Sequence, residues 1–165
     1  MIRIDMIYLN CSAKARKRLG LKPSETVESA SWHEEWRLDV FDSPLCGQGA
    51  IFTNHSTFFS FLVPCEECDS FERVYRYFLT RLQFTLIDAK SNLIVDTRPP
   101  LLVPGNPRSV IGTVNDMKFA LEFEDGALAV PGRDPESFIN RTPYKAISYD
   151  YPVECFYRRA QESSS

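Results

Sequence analysis

The chain has 165 residues, of which 44% are hydrophobic, 13% aromatic and 25% charged, with a formal net charge of -3. That is enough apolar sequence to bury the core of one domain, and it excludes a disordered chain. The acidic balance argues against a dominant phosphate-binding surface, and no apolar run reaches the roughly 18–20 residues that cross a bilayer.

"IRIDMIYLN" mixes β-branched and aromatic residues and predicts an opening strand over 2–8. "SAKARKRLG" predicts a short basic helix with Ser12 as N-cap and Gly20 as its stop. "LKPSETVESAS" is a polar connector. In "EWRLDVF", Trp36, Leu38 and Val40 alternate with Arg37 and Asp39, as in a half-buried strand. "GQGAIFTN" and "STFFSFLVP" are further strands, with a turn at Asn54 and His55 between them, so an antiparallel meander is expected. The last of the three is apolar on both faces and is expected at the centre of the sheet.

"DSFERVYRYFLTRLQFTLIDAK" is the clearest helix, because Phe71, Val74, Tyr75, Phe78, Leu82, Thr85 and Leu86 recur at steps of three and four, and either Asp69 or Ser70 can cap its start. "NLIVDT" is a short strand, and "RPPLLVPGN" a proline-rich approach to a second long helix. "DPESFINRTP" predicts a short helix with Asp134 as cap and Pro135 in first position. "YKAISYDYPVECFY" alternates like a closing strand, and "RRAQESSS" is expected to be a disordered tail. The elements mix without regular βαβ alternation. The expected class is therefore α+β: a single domain over 1–157, mainly antiparallel sheet packed against two longer helices plus short helices, with the tail over 158–165.

The second long helix, "GNPRSVIGTVNDMKFALEF", poses a problem. At about 100° per residue, Val110, Ile111, Val114, Met117 and Leu121 share an apolar arc, while Arg108, Gly112, Asn115 and Asp116, with Ser109 beside them, lie roughly opposite. Asn106 can cap this helix, and Pro107 suits its first position. A glycine inside a helix costs about 1 kcal/mol relative to alanine. Either a neighbouring element packs against the bare backbone at Gly112, the commoner case, or a ligand or partner does.

"RSVIGTVND" resembles the "NRSVxGxxND" signature of a bacterial domain family of unknown function. "CSAKARKRLG", "WHEEWRLDVF", "AIFTNHSTFFSFLVP" and "INRTPYKAISYDYPVE" extend the resemblance over most of the chain in the family's order. Pro107 stands where the family usually has asparagine. The resemblance implies a compact domain without an established reaction. By position, it marks Thr53, Asn54, Arg108, Ser109, Gly112, Asn115, Asp116, Asn140 and Pro143 as motif residues.

The remaining motifs are weak. "CEEC", Cys65 to Cys68, has the spacing of a metal knuckle or redox pair, but it lacks a second ligand pair and a thioredoxin-like context. Two incidental cysteines explain it, and no metal or cofactor is expected. Five irregularly spaced cysteines do not make a disulfide framework, and the first residues lack the order of a secretory signal, so a cytoplasmic location is expected. His55 reads as a solvated turn residue, and Trp32 and Trp36 as core or rim aromatics. The basic run Lys14, Arg16, Lys17, Arg18 and Lys22 reads as a solvated helix face, which ranks a nucleic-acid partner last.

The expected function is a non-catalytic binding module. Thr53, Asn54, Arg108, Ser109, Gly112, Asn115, Asp116 and Asn140 would meet a small polar ligand or a protein partner. The alternative is an enzyme acting on a nucleotide or nucleic acid, with Asp116 as base or metal ligand and Arg108 on the phosphate.

Overall fold

The computed structural model describes residues 1–23, 30–43, 47–105, 107–123 and 134–164. Most of the connector after Leu21, together with Asn106 and Ser165, lies outside the described residues. The strands are β1 (Ile2–Ile4), β2 (Tyr8–Cys11), β3 (Glu35–Ser43), β4 (Gly47–Asn54), β5 (Ser60–Val63), β6 (Leu93–Val95) and β7 (Leu101–Val103). The helices are α1 (Ala13–Leu19), α2 (Phe71–Asp88), α3 (Arg108–Phe123), α4 (Pro135–Asn140) and α5 (Pro152–Glu162). The class is α+β, as expected.

Five strands form one sheet in the order β5-β4-β3-β2-β7, and β1 pairs with β6 in a separate parallel pair. The meander β3-β4-β5 is antiparallel, with Arg37 opposite Thr53 and Thr53 opposite Ser60. β2 lies parallel to both β3 and β7, so the sheet is mixed rather than mainly antiparallel. The extra parallel edge comes from β7, three residues bracketed by prolines that read in sequence as a mere approach to α3. Edge strands tolerate such prolines. The single opening strand expected over 2–8 is two strands, each assigned to a different sheet.

The caps follow the sequence. The Ser12 side chain accepts from the Ala15 amide, and Gly20 closes α1 at φ 67°. Ser70 caps α2 through the Arg73 amide, and Asp134 caps α4 through Glu136. α3 begins one residue after Pro107, whose carbonyl accepts from Ile111 N–H at 2.9 Å.

Helices cover both faces of the sheet. On one, Trp36, Leu38, Ala50, Phe52, Phe61 and Val63 meet Val74, Phe78, Leu82 and Leu86 of α2 and Phe156 and Ala160 of α5. The Phe52 and Phe78 rings stack with centroids 4.2 Å apart. On the other face, Phe41 and Ile51 meet Val110, Val114, Met117 and Leu121 of α3, with Ile139 of α4. Gly49 serves this packing, because a β-carbon there would lie 2.5 Å from the Phe41 ring.

Two expectations fail through local ambiguity. β5 is an edge strand, not a central one. Its two apolar faces are still covered, and α4 closes its open edge. The closing strand is absent: residues 145–147 form a short 3₁₀ turn and α5 follows. Pro152, Cys155, Phe156 and Ala160 are its buried residues, spaced for a helix. The expected tail from residue 158 continues α5 to Glu162, and Ser164 Oγ then accepts from Asn92 N–H at 2.6 Å. Among the described residues, no helix is long and apolar enough to cross a membrane.

Candidate functional site

Of the nine marked residues, Pro143 is exposed in the loop after α4, and the other eight divide into two groups. Arg108, Ser109, Gly112, Asn115 and Asp116 all lie on α3 and are exposed. The apolar arc of α3 is buried against the sheet, so the polar arc must look outward. At Gly112, a β-carbon would meet no described atom within 4 Å outside its own helix. Among the described residues, no neighbouring element packs against Gly112, as the commoner sequence explanation would require.

Thr53, Asn54 and Asn140 lie in the interior, at most 4% exposed. Thr53 Oγ1 and Ser60 Oγ are 2.9 Å apart. Asn54 Oδ1 accepts from the amides of Ser56 and Thr57 and from the Thr57 hydroxyl, while its Nδ2 donates to the Trp32 carbonyl at 2.8 Å. These bonds hold the turn in which Phe58 takes φ 58°.

Asn140 acts as a surrogate strand. Its Oδ1 accepts from Ser60 N–H and its Nδ2 donates to the Ser60 carbonyl, both at 2.8 Å. Glu136, one helical turn earlier, accepts from Leu62 N–H at 2.8 Å and pairs with Arg81. Two α4 side chains thus satisfy the free edge of β5, which blunts it against further pairing. Burial raises the Glu136 pKa, against the lowering effects of the Leu62 amide and Arg81.

The structure does not bring the marked residues into one cleft. Those in the interior are occupied internally, whereas those on α3 face out. The charge of Asp116 reaches Tyr144: burial first, and Asp116 after it, push that hydroxyl up to about 12, against the lowering hydrogen bond with Thr142.

One exposed neighbour escaped the sequence reading. Phe119 is 57% exposed and follows Asn115 by four residues, on the arc of Arg108 and Gly112. Its position on the polar arc was the available signal.

A buried charge cluster was also missed. Arg37 is 6% and Asp39 3% exposed. Arg37 donates to Asn10 Oδ1, and Asn10 Nδ2 reaches the Gly105 carbonyl at 3.0 Å. Asp39 accepts from Ser12 Oγ at 2.7 Å and Lys118 Nζ at 3.3 Å, with Arg37 Nη2 at 4.0 Å. Burial lowers the Arg37 pKa and the charge of Asp39 opposes it. Alternation correctly placed Arg37 and Asp39 on one face. That this face lies under α3 follows only from tertiary structure.

The weaker motifs resolve as follows. Cys65 is disulfide-bonded, whereas Cys68 keeps a free thiol that donates to the Pro64 carbonyl, so the two are not a redox pair with each other. No three His, Cys, Asp or Glu residues gather as metal ligands among the described residues. Lys14 and Arg18 both pair with Asp42, at 2.8 and 3.2 Å, which removes two cations from the basic run. His55 is half-buried rather than solvated: its Nε2 is buried without a partner among the described residues, and burial, then the charge of Arg37, lower its pKa to about 4.

A family model described as a domain of unknown function (DUF6933) matches residues 8–155. The chain belongs to that family. No curated protein and no solved structure matches it.

Proposed function

We propose that this member of the DUF6933 family is a binding module that presents the outer face of α3 to a protein partner. The observation that carries the reading is the bare backbone at Gly112, exposed and untouched by the described chain, with Arg108, Asn115, Asp116 and Phe119 around it. A convex helix face gives a small ligand little burial, but it suits another protein's groove or helix. Arginine and aromatic residues dominate such contacts, and a missing side chain lets two backbones approach.

The enzyme alternative gains no support from the geometry. Asp116 is exposed, and Thr53 and Asn54 are occupied inside the fold. The expected cytoplasmic location meets one opposing observation, the disulfide at Cys65, since such bonds are rare in reducing compartments.

The test is site-specific photo-crosslinking in the native cells, with a benzophenone amino acid at position 112 and, as a control, at exposed Lys90. A discrete adduct at 112, absent at 90 and lost on Arg108→Glu, is expected. No adduct, or equal adducts at both positions, would refute the docking face.

A further inference from the structure

The outer face of α3 carries a pattern that bears on what docks there. Among the described residues, Arg108 and Asp116 are exposed and neither enters an ion pair. Ser109 and Asn115 are exposed beside them, and a β-carbon at Gly112 would meet no described atom within 4 Å outside its own helix. A cation and a carboxylate thus stand open to solvent on one arc, with a bare backbone midway between them.

The order of these groups is symmetric about the glycine. At about 1.5 Å and 100° per residue, Arg108 and Asp116 lie about 6 Å before and after Gly112 and about 40° to opposite sides of it. Ser109 and Asn115 lie about 4.5 Å before and after it and about 60° to opposite sides. Turning the helix end over end at Gly112 therefore brings Arg108 level with Asp116, and Ser109 level with Asn115. The rotation matches a cation to a carboxylate and a hydroxyl to an amide. A two-fold interface requires this property, because each residue must find its complement on the same surface. A parallel pairing in register would instead set Arg108 against Arg108, and contact with an unrelated protein demands no symmetry at all.

We propose that α3 forms the contact of a symmetric dimer, in which the α3 helices of two copies of this chain cross antiparallel at Gly112. The inference rests on the reading of this face as a docking surface and names its partner. Arg108 and Ser109 of one copy stand against Asn115 and Asp116 of the other, once at each end of the contact. The arginine fork can donate there to both the carboxylate and the amide oxygen. Gly112 lies on the two-fold axis, where the two backbones can approach. One helix face is a small interface, so the dimer is weak, with a Kd on the order of 10–100 µM.

Sedimentation velocity of the purified chain, over concentrations well below to well above that Kd, tests the proposal. The wild type should pass from monomer to dimer, and added salt should favour the monomer. Arg108→Asp and Asp116→Arg should each weaken the dimer roughly 10- to 30-fold, because either reversal turns two attractions into two repulsions. Both positions are exposed, so neither exchange touches the core. The double variant Arg108→Asp/Asp116→Arg should dimerise like the wild type, and an equimolar mixture of the two single variants should form a mixed dimer. A wild type that stays monomeric would overturn the proposal. So would a dimer that the single reversals leave intact or that the double reversal fails to restore. A monomeric wild type that still gives the adduct at position 112 with a different protein would overturn the dimer and leave the docking face standing. A monomer without that adduct would overturn both.

Discussion

Gly112→Ala should make the protein more stable. Gly112 lies inside α3, is not among the glycines with positive φ, and has no described atom beyond its own stretch of helix within 4 Å of where its β-carbon would stand. The new methyl therefore meets no clash, and the exchange reduces to helix propensity, about 0.8–1.0 kcal/mol in favour of alanine. For a domain of this size, that corresponds to a rise of roughly 2–4 °C in Tm. Urea unfolding followed by circular dichroism should show the midpoint rising at unchanged slope, since the surface exposed on unfolding is almost the same. Gly49→Ala is the internal control: its β-carbon would sit 2.5 Å from the Phe41 ring, so that variant should lose stability. A less stable Gly112→Ala would refute the reasoning, because something in the fold would then have to rest on that residue. A more stable variant shows that folding gains nothing from the glycine, which directs attention to what lies outside the chain.

Asn140→Leu should destabilise by about 2–4 kcal/mol, because it strands the Ser60 amide and carbonyl, each bonded at 2.8 Å, on a fully buried residue. The check is the urea midpoint together with concentration-dependent aggregation, since β5 would regain a free edge; wild-type values for both would remove the surrogate-strand role. His55 gives a pH dependence. Its pKa falls from 6.5 to about 4 on folding, so the unfolded chain binds the extra proton between those values. Stability should be complete above pH 6.5 and decline as pH falls toward 4, by at most about 3 kcal/mol and less where solvent reaches the ring. In His55→Gln that part of the decline should vanish while the carboxylate contributions persist; identical pH profiles would exclude His55 as their source.

Caps and the long amphipathic α2 were legible in the sequence because they are local. Ser12, Gly20, Ser70 and Asp134 each act within a few residues of their own position. What failed was decided by distant neighbours. β7 is three residues long and exists only because β2 offers it a ladder. The segment over 144–157 alternates convincingly over a short window, but Phe156 and Ala160 find the α2 side of the core only as a helix. Periodicity alone does not separate the two over so short a run.

The residues marked by the resemblance read as a unit in the sequence, yet their two groups have different causes. Asn140, Asn54 and Thr53 answer needs of the chain: an open strand edge, a turn with a left-handed residue and a buried hydroxyl pair. Sequence spacing cannot show this, because Ser60 and Asn140 are separated by 80 residues. Among the described residues, nothing packs on Gly112. Folding would proceed as well with alanine at 112 and with any polar residue on an exposed arc, since exposed positions contribute within about 0.5 kcal/mol. Contact with another molecule is the cause proposed for that surface. In this fold that argument applies to the outer face of α3 and to none of the buried members of the motif.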